Sequence, residues 1–238
     1  MKIDERAFAL NVLRQADWLA GFDPVLAEAL LAHGRLMRLA VGEWAQGEGD
    51  EERGLFVVID GLVHTYCSAP GDRDVMIGQA GTGAVLGHAT RFSGGPRLVT
   101  AICVEPSVLL QISETALERI AEERPEVWRM IANSAYANLR RAMQMMVEAV
   151  TLPPRQRIAA RLVALASELS PRGTATIALS QQLLGEMTGL TRKTVNAHLA
   201  ALEAAGLIAI LYGGVRVRSM QGLREAGIAI RVLGHPVR

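Results

Sequence analysis

The chain has 238 residues, half of them hydrophobic, 21% charged and 4% aromatic, enough for a core of Leu, Ile, Val, Ala and Met and incompatible with a disordered tail. Its longest charge-free run, Val75 to Thr90, carries four glycines, a Gln and a His and falls short of the roughly 18–20 apolar residues that span a bilayer. The near-neutral total of +1 is unevenly spread: residues 1–150 hold 14 Lys and Arg against 20 Asp and Glu, residues 151–238 hold 11 against 4, which suits a C-terminal part that meets a polyanion.

In chain order, the start Met1-Lys2-Ile3-Asp4-Glu5-Arg6 lacks the basic-then-apolar layout of a secretory signal, so a soluble cytoplasmic protein with no membrane partner is expected. The first forty residues read as short helices, with Ala7, Leu10, Leu13 and Leu19, then Leu26, Leu30 and Leu31, near helical spacing around an Asp23-Pro24 start. From Leu36 to Ile112 the pattern changes to short apolar runs: Leu36–Val41, Leu55–Ile59, Leu62–Tyr66, Val75–Gln79, Ala84–Leu86, Leu98–Val104 and Val108–Ile112. Turn residues punctuate them at strand-like intervals, which predicts a sandwich or barrel. Asp60-Gly61 between two of the runs reads as a two-residue hairpin turn.

Helical periodicity returns after Ser113 and dominates from Pro125 to Val150. Ile131, Ala135, Leu139, Ala142, Met146 and Ala149 are spaced as an a/d seam, the stripe along which two helices pack. The spacing alone suits either a partner helix or the helix's own β-domain; the length near 25 residues and the small alanines favour a partner. Pro153-Pro154 then stops the helix and marks the domain boundary.

Beyond it, Gln156–Leu169 reads as a helix and Thr176–Leu179 as a short β-prone run. Ser180 and Thr191 are good N-caps, and a two-turn helix starting at Gln181 ends at Gly189 between them. Two short helices joined by a tight Gly turn make a helix-turn-helix, with Leu184, Val195 and Leu199 as its wedge and Gly185 keeping the first helix small. The second helix opens with Arg192, Lys193, Thr194 and Asn196 at the end that enters a major groove. Gly213-Gly214 predicts a hairpin whose return strand carries Arg216 and Arg218 on one face, a basic wing suited to phosphate contacts.

These residues resemble the Crp/Fnr family of bacterial transcription regulators. The run Leu190-Thr191-Arg192-Lys193-Thr194-Val195-Asn196, then Leu202-Glu203 and Gly206-Leu207-Ile208, is similar to the family's helix-turn-helix signature, and the resemblance covers nearly the whole chain. It implies an α+β protein: a jelly-roll-like, cyclic-nucleotide-binding β-roll over 1–124, a dimerisation helix over 125–150 and a winged helix-turn-helix over 151–238. Double-stranded DNA, a second copy of the chain and, for an activator, RNA polymerase are the implied partners, and no catalysis is implied. In the family an Arg at the position of Arg192 reads DNA, and a further Arg commonly stands where this chain has Ala197. The effector site departs further. Gly87 and Arg97 match the family's cyclic-AMP pocket, whereas His88 replaces its Glu, Leu98 its hydroxyl, and Ala142-Met143 its adenine-facing Thr-Ser pair. Each lost hydrogen bond costs on the order of 1–3 kcal/mol, so either an effector other than cyclic AMP is expected, anionic enough to use Arg97, or none, with Leu98, Ala142 and Met143 filling the space in the ligand-free form.

Two other classes compete. In one, the winged helix of a ligand-binding signalling module mediates protein contacts; in the other, the β-roll is a cupin-like metalloenzyme. His33, His64, His88, His198 and His235 show no ligand-spaced pairing, so no metal site is expected. Cys67 and Cys103 are too few for a disulfide framework or a four-thiolate cluster and read as strand thiols. No cofactor is implied by the residues; a haem, which needs a single His, stays compatible with them.

Overall fold

The computed structural model describes residues 4–87, 94–169 and 175–227. The chain divides into two compact units, Met1–Ala137 and Asn138–Arg238. In the first, Asp4 caps α1 (Glu5–Gln15) through the Arg6 amide, and Asp23 caps α2 (Pro24–His33) through the Val25 amide. Strands follow: β1 (Arg35–Leu39), β2 (Trp44–Gln46), β3 (Gly54–Asp60), β4 (Val63–Ala69), β5 (Arg73–Ala80), β6 (Val85–Leu86), β7 (Thr100–Cys103) and β8 (Ser107–Ser113). Among the described residues they form two antiparallel sheets, ordered β1-β8-β3-β6 and β2-β7-β4-β5. Ser113 then caps α3 (Glu114–Glu123) through the Ala116 amide.

Side-chain alternation along β3 produces the layers. Leu55, Val57 and Ile59 pack with Leu110 and Ile112 against α1, α2, α3 and the start of α4 (Glu126–Thr151). Phe56 and Val58 point the other way, onto Val63, Ala80, Ala101 and Cys103 of the second sheet. The first sheet is thus covered on both faces, which is why β3 is apolar almost throughout. This is the jelly-roll-like β-roll of an α+β protein.

Asp60-Gly61 does not make the expected hairpin. β3 and β4 lie in different sheets, and the two residues carry the chain across the roll. Gly61 is needed for a different reason: at φ 96° its backbone crowds β8, where a Cβ would collide with the Ser107 hydroxyl. β2 escaped the sequence reading because three residues with a register shift between Trp44 and Gln46 show no period.

The long helix also corrects one expectation. Ile131 is 1% exposed and belongs, with Val127 and Met130, to the core beneath the first sheet. It therefore cannot stand in an intersubunit seam. The outward stripe runs instead through Leu139 (57% exposed), Ala142, Met146 (61%) and Ala149, flanked by Met143 and Val150, with Ala135 half-buried ahead of it.

In the second unit, α5 (Pro154–Leu169) buries Ile158, Leu162, Leu165 and Ala166. β9 (Thr176–Ile177), α6 (Gln181–Thr188), α7 (Arg192–Ala204), β10 (Ile208–Leu211), β11 (Gly214–Val217) and α8 (Met220–Gly227) follow, with the strands ordered β10-β11-β9. Among the described residues no helix is long and apolar enough to cross a membrane.

His64 on β4 is buried, its Nδ1 3.5 Å from the Tyr66 hydroxyl and its Nε2 without a hydrogen-bond partner. Burial holds its pKa below the usual imidazole value. The unfolded chain therefore binds a proton at this site more readily than the folded one, so stability is lost as pH falls below about 6.5. The melting temperature should drop between pH 7 and pH 5, and by less in His64→Gln; an equal drop in both proteins would assign the effect to other groups.

Candidate nucleic-acid interface and effector pocket

The helix-turn-helix is built from two capped helices. Ser180 accepts from the Leu183 amide at 3.1 Å and Thr191 from the Thr194 amide at 3.2 Å, with the Thr191 and Thr194 hydroxyls 2.9 Å apart. Between the helices Gly189 adopts a left-handed conformation, φ 65°. Gly185 lies where a Cβ would come within 2.7 Å of the Leu190 carbonyl oxygen and 3.7 Å of a Val195 methyl. A side chain there would force the helices apart.

Leu184, Val195 and Leu199 are fully buried between the elements. That fixes the outward face of α7: Arg192, Lys193 and Asn196 are exposed on its first turns, beside exposed Thr191 and half-buried Thr194. Ser180 is exposed and Gln181 half-buried at the start of α6. The free amides at the start of α7 add positive potential to that of Arg192 and Lys193.

On the wing, β11 buries Val215 and Val217 and exposes Arg216 and Arg218, the latter one residue beyond the strand. Arg216 donates Nε to the Thr176 hydroxyl at 3.4 Å across the β11–β9 pair. The hairpin turns at Tyr212-Gly213, not Gly213-Gly214, because Leu211 pairs with Gly214. Gly214 instead stands close to β9, where a Cβ would come within 2.7 Å of the Ile177 carbonyl oxygen. Tyr212 is fully exposed at the tip of the wing, and a reading centred on the glycine pair passes it over.

Arg157 is a second residue without a sequence signal. It reaches from α5 to carbonyls at two helix ends, Leu152 at 3.0 Å and Thr188 at 2.9 Å.

In the β-roll, Arg97 is 3% exposed. Its Nη1 donates to the Gly54 carbonyl at 3.0 Å, and its guanidinium lies 5.5 Å from the centre of the Phe56 ring. Its backbone pairs with the 47–50 turn: the Arg97 amide donates to the Asp50 carbonyl, and the Arg97 carbonyl accepts from the Gly49 amide. Gly87, at φ 83°, has no Cβ to obstruct the guanidinium; one built there would overlap Arg97 Nη1. Burial pulls the Arg97 pKa below its ordinary value, while Glu52 and Asp50 pull it back.

Leu98 does not fill a pocket, contrary to expectation. It is 64% exposed, because the residue after an inward Arg97 points outward. Ala142 and Met143 are likewise exposed on α4. His88 lies outside the described residues. Cys103 is buried and Cys67 half-buried. Among the described residues no three His, Cys, Asp or Glu side chains group as a metal site.

A capped helix-turn-helix with a basic wing, joined in one chain to a β-roll, defines a winged-helix DNA-binding regulator. Models of the cyclic nucleotide-binding domain and of the Crp-like helix-turn-helix domain match residues 37–124 and 156–226 respectively. The chain is 27% identical over 186 residues to the nitrogen fixation regulation protein FixK of Bradyrhizobium diazoefficiens, covering 76% of this chain and 77% of that protein. It is 23% identical over 202 residues to the CRP-like cAMP-activated global transcriptional regulator of Mycobacterium tuberculosis, covering 83% and 90%. The solved structure of FixK2 from Bradyrhizobium japonicum has the same fold, with a TM-score of 0.70 at 22% identity, over 81% of this chain and 96% of that one. The chain belongs to the Crp/Fnr family and is a DNA-binding transcription regulator of that type.

Proposed function

We propose that the protein acts as a homodimer gripping an inverted-repeat site with one α7 per subunit, and that its β-roll is a degenerate sensor for an effector other than cyclic AMP, or for none. The supporting observation is the outward display of Arg192, Lys193 and Asn196 on the first turns of α7, held by Val195 and Leu199 buried behind them. Donors on successive turns at that end fit base edges in a major groove, while Ser180, Gln181, Thr191, Thr194, Arg216 and Arg218 are placed to position phosphates. Leu139, Ala142, Met146 and Ala149 supply the seam for the second copy. In this reading the sensor occupies 1–124, the dimer helix 125–150 and the DNA-binding domain 151–238, with RNA polymerase as a further partner if the regulator activates.

The test is binding to an inverted repeat whose half-sites lie roughly 34 Å apart, one helical turn. Counterion release predicts an affinity loss of about 1,000-fold or more between 50 and 200 mM salt. Flat salt dependence, or equal affinity for scrambled duplex, defeats the reading.

The recognition helix and the wing divide the work. Arg192→Ala should relax sequence preference by about 1–3 kcal/mol at one base pair, the worth of a good bidentate base contact. Arg216→Ala should weaken all sequences alike and reduce the salt slope by about one. Fluorescence anisotropy on matched and mismatched duplexes separates the two, and the opposite pattern would put the wing in the groove.

A further inference from the structure

Two helix ends meet at one side chain. α4 stops at Thr151, just ahead of Pro153-Pro154, and α6 stops at Thr188, where Gly189 turns left-handed. The last carbonyls of a helix have no amide left within it and carry the negative end of its dipole. Arg157, from the first turns of α5, donates Nη2 to the Leu152 carbonyl and Nη1 to the Thr188 carbonyl. Its Nε is buried and makes no hydrogen bond. A guanidinium is a rigid planar fork, so two bonds from its two ends fix a direction as well as a distance. Thr188 stands three residues before Thr191, the cap of α7, so what is fixed is the turn that aims the recognition helix.

We propose that Arg157 is a clamp that joins the end of α4 to the helix-turn-helix and sets the angle of α7 relative to the last turns of α4. This rests on the dimeric DNA-binding reading. In a dimer assembled along α4, that angle determines the separation of the two recognition helices and hence the half-site spacing accepted. Arg157 is a positioning residue: it bonds to backbone carbonyls and reads no base.

The test uses the full chain and a series of inverted repeats with the spacer shortened or lengthened by one base pair, together with a single half-site. The wild type should prefer one spacer by about 10-fold or more. Arg157→Gln should cut that preference to about twofold or less while half-site affinity changes less than twofold, a pattern that damage to the helix-turn-helix itself would not give. Arg157→Lys, which keeps the charge without the planar fork, should fall between them. If Arg157→Gln fails to fold by circular dichroism, the lysine variant alone decides. Retained spacer preference in the variant, or parallel losses on half-site and palindrome, overturns the clamp. Amide hydrogen exchange of the DNA-free protein reads the clamp separately: exchange around Leu152 and Gly189 should rise about 10-fold in Arg157→Gln, with the interior of α7 unchanged. A wild type without any spacer preference defeats the dimeric DNA-binding reading, and exchange then decides the clamp; unchanged exchange overturns it.

Discussion

Leu139→Asp is expected to turn the protein into a monomer and to reduce its affinity for an inverted repeat to that of a single half-site. Leu139 stands 57% exposed on α4, in line with Ala142, Met146 and Ala149. Four small or apolar residues at three- and four-residue intervals on a solvent face are the pattern of a helix that lacks its partner. The alanines let two backbones approach, and Leu139 and Met146 supply the apolar area. A carboxylate desolvated in that seam costs roughly 3 kcal/mol, and twofold symmetry brings in two of them. A loss of that size corresponds to at least a hundredfold in dimer dissociation. Sedimentation velocity reads the assembly directly, and circular dichroism should show an unchanged helix content because the site is already wet in one subunit. A variant that remains dimeric would place the interface on another surface. Ile131→Asp makes the control: Ile131 lies in the core beneath the first sheet, so that change should unfold the β-roll unit instead of separating subunits.

That contrast shows what spacing can and cannot reveal. Heptad arithmetic places Ile131 and Leu139 on one stripe, yet at the first turns of α4 that stripe lies on the β-roll core, while from Leu139 onward it faces solvent. Periodicity identifies a face; only the fold decides what covers it. The helix-turn-helix was far more legible, because its signals are local: Ser180 and Thr191 bond to amides three residues on, and Gly189 supplies the one left-handed turn. Asp60-Gly61 misled because a positive-φ glycine serves a hairpin and a sheet-to-sheet crossing equally well, and Ser107, the neighbour that decides between them, is distant in sequence. Arg157 left no trace for the same reason. Its acceptors are backbone carbonyls, to which any residue type contributes, so no pattern of side chains announces the contact.

Charge follows the same division. Residues 1–150 carry an acidic surplus that repels phosphates, while the basic surplus beyond is drawn from few residues, among them the exposed Arg192, Lys193, Arg216 and Arg218. Long-range attraction of this kind speeds encounter with DNA without choosing a sequence. In the proposed dimeric reading, choice then falls to the donors at the start of α7, and spacing to the parts that hold α7 in place.

Calorimetric titration with cyclic AMP is expected to show no binding tighter than about 100 μM, equivalent to roughly −5.5 kcal/mol. The cation that would meet the phosphate is already engaged. Arg97 donates to the Gly54 carbonyl, lies over Phe56 and occupies the space that Gly87 leaves by lacking a Cβ. A cyclic phosphate would have to draw the guanidinium away, leaving a buried carbonyl without that donor at a cost of about 1–3 kcal/mol. Leu98 offers no hydroxyl in return and points to solvent. Arg97→Ala should accordingly be read first in stability: a loss of about 2 kcal/mol from the unpaired carbonyl and the space left over Phe56, seen as a lower denaturation midpoint at unchanged slope. Micromolar cyclic-AMP binding that disappears in Arg97→Ala would reverse the assignment, since it would show that one Arg and backbone amides hold the nucleotide without the carboxylate, the hydroxyl and the base-reading pair.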